Sequence, residues 1–171
     1  LTILEEGSKI LREALERDEL DLAIVNLHQT PPKLDTLAMT RNEFVVCLPL
    51  NHPLAARDAI EIAALKDEQF IMFKEDAYNR QAVVQACEAK GFTPKILLSS
   101  SQVETHKELV AKGLGISFLI DKIAAKSKQL AARPLTEPIY LEFGLAWKKD
   151  KYLSRAAQAF IDFVTDKRPT F

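Results

Sequence analysis

Apolar positions along the chain recur in two alternating periods, so the sequence predicts strands and helices in turn. Residues 1–4 (Leu-Thr-Ile-Leu) form a short β-rich run closed by Gly7-Ser8. Ile10, Leu11, Ala14 and Leu15 then recur at helical spacing, with Ser8 placed to cap the first turn. Residues 21–25 read as a buried strand, and Pro31-Pro32 breaks the chain. A strand over 37–48 follows, with a polar kink at Arg41-Asn42. Asn51-His52-Pro53 is a turn signature, and 60–65 reads as one helical turn.

The second half continues the alternation. Residues 69–73 read as a strand, and Val83, Ala86 and Cys87 mark the inner stripe of a helix that Gly91 ends. Residues 95–99 are a strand, after which Ser101 and Glu104 form a capping box before a helix carrying Val103 and Val110. Gly113 and Gly115 bracket the turn into a strand over 116–120. A strand over 139–147 and a closing helix with Ala157, Phe160, Ile161 and Val164 on its apolar stripe complete the series. Repeated βα units predict an α/β fold with open, partly parallel sheets.

Charge changes this picture only by exclusion. The chain carries 23 Lys and Arg against 24 Asp and Glu, a formal net charge of −1 that leaves no electrostatic footprint for nucleic acid. Cys47 and Cys87 lie in apolar contexts, without CxxC spacing, and read as reduced core thiols. No run of eighteen apolar residues is present, and residues 1–4 lack the basic head of a signal peptide, so a cytoplasmic protein that does not span a membrane is expected.

Catalytic and metal motifs are missing as well. There is no GxSxG elbow, no HExxH, no Gly-rich phosphate loop and no paired cysteine set, so neither a catalytic residue, a metal nor a cofactor is expected. His28, His52 and His106 read as surface or turn residues. Two helices, however, begin with small hydroxyl residues, at Gly7-Ser8 and at Ser100-Ser101-Gln102. A helix start offers unpaired N–H groups and a partial positive charge to an anion, with plain capping as the alternative use of the same residues.

Four phrases carry a resemblance to a known family. They are Glu6-Gly7-Ser8 followed by Asp18-Glu19-Leu20-Asp21-Leu22-Ala23-Ile24, then His52-Pro53-Leu54-Ala55, Gly91-Phe92-Thr93-Pro94, and the stretch from Leu109 to Ser117. In this order they resemble the effector-binding domain of LysR-type transcriptional regulators, with Asp18 where glycine is usual. The resemblance implies a two-lobed fold like type II periplasmic binding proteins, with two hinge crossover strands. Residues 1–48 and 139–171 would form lobe I and residues 49–138 lobe II. The strand, helix and DNA-binding head that precede this region in the family are not part of the sequence.

Carried over position by position, the ligand-binding residues implied are Gly7, Ser8, Asn26 and Leu27 from lobe I. Phe73, Lys74, Ser100, Ser101, Gln102, Ile116 and Phe118 come from lobe II. Lys74 is either a cation for a ligand carboxylate or a solvated lysine, and Phe73 and Phe118 are either lining or core. The implied function is sensing of a small organic acid in the interlobe cleft of a bacterial cytoplasmic regulator, not catalysis. The implied assembly is an antiparallel dimer of sensor domains, tetrameric in the intact protein. DNA would be bound only through an N-terminal winged helix-turn-helix that the sequence lacks. An extracytoplasmic solute-binding protein of the same fold is the alternative.

Overall fold

The computed structural model describes residues 2–28 and 30–167. The chain divides into two compact units, Leu1–Arg41 with Leu141–Phe171, and Asn42–Tyr140.

The first unit holds α1 (Ser8–Glu16), β1 (Ala23–Asn26), the opening half of β2 (Leu34–Pro49), most of β7 (Ile139–Lys148) and α5 (Arg155–Lys167). β1 pairs antiparallel with β7, Ala23 opposite Ala146 and Asn26 opposite Phe143. Leu11 and Leu15 of α1 pack on Ala23, Val25, Leu34 and Ala146, while Ile161 and Val164 of α5 pack on Leu145. The alternation of β7 thus supplies both small cores, one to each helix. α1 ends in a left-handed residue at Asp18 (φ 63°), with Glu19 N–H donating to the Ala14 carbonyl and Asp18 N–H to that of Leu15. This is the geometry that favours glycine, and Asp18 stands where the resembled family has glycine.

The second unit contains β3 (Gln69–Met72), α2 (Tyr78–Ala89), β4 (Lys95–Ser99), α3 (Val103–Ala111), β5 (Ile116–Ile120), α4 (Asp121–Ala124) and β6 (Leu130–Arg133). β3 runs parallel to β4 and to β5, and the second half of β2 runs antiparallel to β5 and β6. The central strands β2 (over its second half), β3 and β5 are buried on both faces. Val46, Leu48, Phe70, Met72, Ile116 and Phe118 point to a core shared with Val83 and Cys87 of α2. Val45, Cys47, Ile71 and Leu119 point the other way, against Val110 of α3 and Ala124 of α4. Burial on two faces is why these strands read as continuous apolar runs.

Several expectations fail, each for a local reason. Residues 2–7 form no strand, and Leu1 lies outside the described residues; Ile3 is 85% exposed. A β-rich run becomes a strand only when a neighbour accepts its hydrogen bonds. β2 passes Arg41-Asn42 without interruption. The helical turn expected over 60–65 does form, as a 3-10 helix over Ile62–Leu65. Phe160 falls at the edge of its helical stripe and is 45% exposed, and Ile10 is likewise on the solvent side of α1. α4 and β6 had no periodic signature long enough to read.

Candidate functional site

The C-terminal ends of parallel strands are where α/β sheets gather ligand-binding loops. In the second unit those ends carry Phe73 and Lys74 after β3 and Ser100, Ser101 and Gln102 after β4. Ser100 N–H donates to the Met72 carbonyl at 3.0 Å, which ties the two loops together. Ser100 Oγ accepts from Gln102 N–H at 3.1 Å. Ser101 and Gln102 are exposed, and α3 has Gln102, not Ser101, at its N-cap, without a side-chain capping bond. The expected Ser101–Glu104 box is therefore not formed; Glu104 pairs with Lys107 instead.

Beneath these loops lies a histidine that the sequence places on the surface and the structure buries. His106 is 0% exposed. Its Nε2 lies 2.9 Å from the Ser100 carbonyl and its Nδ1 2.7 Å from Ser117 Oγ. Phe73 stacks on the imidazole at 4.2 Å between centroids. A carbonyl only accepts, so Nε2 carries a proton. Ser117 Oγ also donates to the Ile71 carbonyl at 2.8 Å. Burial pushes the His106 pKa down, against the opposing pull of its hydrogen bonds near Ser100 and Ile71. The legible signal was position: His106 falls three residues after Val103 and four before Val110, on the apolar stripe of α3.

Arg80 is a second residue the sequence reading missed. Its Nη1 donates to the Phe73 carbonyl at 3.2 Å and to Ser99 Oγ at 2.7 Å, and its Nη2 to Glu75 Oε1 at 3.2 Å. Lys74 is exposed in the same loop. Ile116 and Phe118, by contrast, are core residues of β5, with Phe118 stacked near Phe70. Phe73, Asn79, Arg80 and Val83 close over Phe118 with a crevice too narrow to admit a water molecule.

In the first unit, Gly7, Ser8, Asn26 and Leu27 come together. Gly7, not Ser8, is the N-cap of α1, and no side-chain cap is made. Ser8 Oγ instead accepts from Asn26 N–H at 3.0 Å, which fixes the end of β1 to the start of the helix. Arg12 Nη1 donates to the Asn26 carbonyl at 2.9 Å, and Asn26 Oδ1 accepts from His28 N–H at 2.9 Å. Leu27 N–H donates to the Glu142 carbonyl at 2.8 Å, and its side chain packs on the α1 core.

Cys47 and Cys87 are buried and free, and burial pushes each thiol up to about 12. Both are therefore inert as nucleophiles at neutral pH. Among the described residues no three His, Cys, Asp or Glu side chains gather as metal ligands, and no helix is long and apolar enough to cross a membrane.

Known proteins share this arrangement. The regulatory domain of CcmR from Synechocystis PCC6803, solved in complex with 2-PG, superposes with a TM-score of 0.82 at 27% identity, covering 96% of this chain and 81% of that one. The effector binding domain of QuiR, solved in complex with shikimate, gives a TM-score of 0.77 at 26% identity, covering 95% and 78%. The HTH-type transcriptional regulator YwbI of Bacillus subtilis (strain 168) is 28% identical over 163 residues, which is 94% of this chain and 54% of YwbI. The chain spans about half the length of the curated relatives it matches. The LysR substrate binding domain matches residues 1–169, and the neighbours share its two-lobed, periplasmic-binding-protein-like fold. The chain belongs to the LysR substrate binding domain family.

Proposed function

We propose that this chain is the effector-sensing domain of a LysR-type transcriptional regulator, and that its effector is a small organic acid. The effector would bind at the loops that begin α1 and α3. Effector binding would shift the lobe or subunit arrangement of an intact, oligomeric regulator and so its action on DNA. β2 and β7, which pass from one unit to the other, would serve as the hinge.

The observation that carries this reading is the state of the two helix starts. Ser8 and Ser101 are the residues that plain capping would use, and neither helix has a side-chain cap. The first-turn N–H groups of both helices are thus left to another acceptor, and the positive end of the helix dipole favours an anion there. The complexes of related domains with shikimate and with 2-PG agree with an anionic effector. The relatives being transcriptional regulators argues against catalysis.

The test is a thermal-shift screen with shikimate, benzoate, malate, their methyl esters and neutral sugars. An acid at a hundred times its dissociation constant stabilises by about 2.7 kcal/mol, which in a domain of this size raises Tm by roughly 5–10 °C. Ser101→Ala should weaken that shift while leaving the unliganded Tm within about 1 °C, because Ser101 is exposed and caps nothing. A response to sugars or esters with none to acids would refute the anionic effector.

A further inference from the structure

α3 carries one residue whose chemistry the packing of the helix does not need. His106 lies on the buried stripe with Val110, where an aliphatic side chain would fill the same space. A polar ring in such a place costs desolvation unless its nitrogens are bonded. Both are bonded, and neither partner belongs to α3. Nε2–H donates to the Ser100 carbonyl at 2.9 Å, in the loop before the helix, and Nδ1 lies 2.7 Å from Ser117 Oγ on β5. Ser117, itself fully buried, reaches the Ile71 carbonyl on β3 at 2.8 Å. The imidazole thereby joins two core strands to one surface loop.

The same ring carries Phe73, stacked with 25° between the planes. Phe73 is the first residue past β3, and Ser100 is the first past β4. One imidazole therefore holds the first residue after each of two neighbouring parallel strands. Ser100 N–H also donates to the Met72 carbonyl, and Ser100 Oγ accepts from Gln102 N–H, so the turn into α3 moves with the carbonyl that His106 grips. Ser101 and Gln102, next along, are exposed. Ordering a loop is a cost that a ligand otherwise bears on binding, and a loop held beforehand removes it.

We infer that His106 is a positioning residue of the effector site: it holds the Ser100 carbonyl and the Phe73 ring from beneath, so that an acid meets the start of α3 already ordered. His106 touches no ligand in this role and acts through the loops it ties down. The inference rests on the organic-acid reading above and adds to it the side chain that keeps those loops in place.

Amide hydrogen exchange and calorimetry on the wild-type chain, His106→Gln and His106→Leu test this. Glutamine keeps a donor for the Ser100 carbonyl, and leucine fills the space without one. In the ligand-free chain, His106→Leu should speed exchange at the Ser100 and Gln102 amides at least tenfold, while His106→Gln holds them within threefold of wild type. Packing alone would be served by leucine as well as by glutamine, so equal loop exchange in the two variants would overturn the inference. For any of shikimate, benzoate and malate that binds, His106→Leu should weaken it at least fivefold and His106→Gln less than twofold. A bound acid whose affinity neither variant changes would also overturn the inference, with the organic-acid effector still standing. If none of the three acids binds wild type, the organic-acid reading fails by itself, and loop exchange decides whether His106 positions these loops. Should His106→Leu not fold, wild type with isotope-labelled histidine decides. One opening would free the ring Nε2–H and both amides, so all three should exchange together after correction for intrinsic rates. Amides that exchange at least tenfold faster than the ring proton would overturn the inference.

Discussion

The Ser100 carbonyl fixes a proton on His106 Nε2, and the Ser117 hydroxyl has one hydrogen to divide between His106 Nδ1 and the Ile71 carbonyl. Protonating Nδ1 would satisfy every group in this chain of hydrogen bonds, but would place a cation in a site closed to water. Burial wins, and the folded pKa lies below the usual value. The unfolded chain therefore takes up this proton first as pH falls. Stability contributed by the neutral ring is present above about pH 6.5 and is lost as pH drops through that value toward the folded pKa. His106→Gln keeps a donor for the Ser100 carbonyl and removes the titration. Comparing denaturant midpoints between pH 7.5 and 5 should show wild type losing stability faster than the variant, by up to about 1.4 kcal/mol per pH unit. Parallel curves would mean that the proton on His106 does not distinguish folded from unfolded chain.

Among the elements, those with a strong period or a terminating glycine were legible. The spans 95–99 and 116–120 coincide with β4 and β5, and Gly91 ends α2 with φ 82°, as the C-terminal signal requires. What escaped depends on partners far along the chain. The run at 1–4 needs a neighbouring strand, β6 is only four residues long, and α3 takes its N-cap one residue later than its hydroxyl-rich approach suggests. Within the candidate site the sequence singles out Ser100, which ties its loop to β3, but not Arg80, whose contacts with Phe73 and Ser99 arise across two strands. Close packing at strand glycines was equally hidden. A Cβ on Gly144 would lie 2.5 Å from the Leu37 carbonyl and 2.8 Å from Leu27 Cδ1, whereas one on Gly7 meets nothing within 4 Å. Gly144→Ala should thus cost about 1–3 kcal/mol, because the obstacle is backbone on a paired strand. Gly7→Ala, at an ordinary negative φ with open space around it, should lower stability only by the N-cap preference of glycine over alanine, about 0.5–1 kcal/mol in urea. Equal midpoints for the two variants would show that β7 can move away from Leu37 without loss.

For the molecule as a whole, the distribution of charge bears on whether these residues could bind DNA. The net charge is −1, and several basic side chains are met by carboxylates close at hand: Arg17 by Glu19, Lys148 by Asp18, Lys151 by Asp21, Lys95 by Asp67 and Lys107 by Glu104. Exposed pairs of this kind add little to stability, but they matter to a polyanion. A lysine beside a carboxylate presents a dipole to a phosphate rather than a full charge. Binding to duplex DNA draws its affinity from released counterions, and each neutralised phosphate steepens the salt dependence by nearly one unit of log–log slope. A chain with no net positive charge and several of its cations so matched should release few. Fluorescence anisotropy with a labelled duplex should therefore show no saturable binding by this chain at 150 mM salt, and at 50 mM only a weak rise, with no dependence on sequence. Tight binding that falls about a thousandfold or more between 50 and 200 mM salt would reveal six or more phosphate contacts. That outcome would place DNA recognition within these residues, against the proposed role. A flat response agrees with the proposed effector-sensing role, on the charge pattern rather than on kinship.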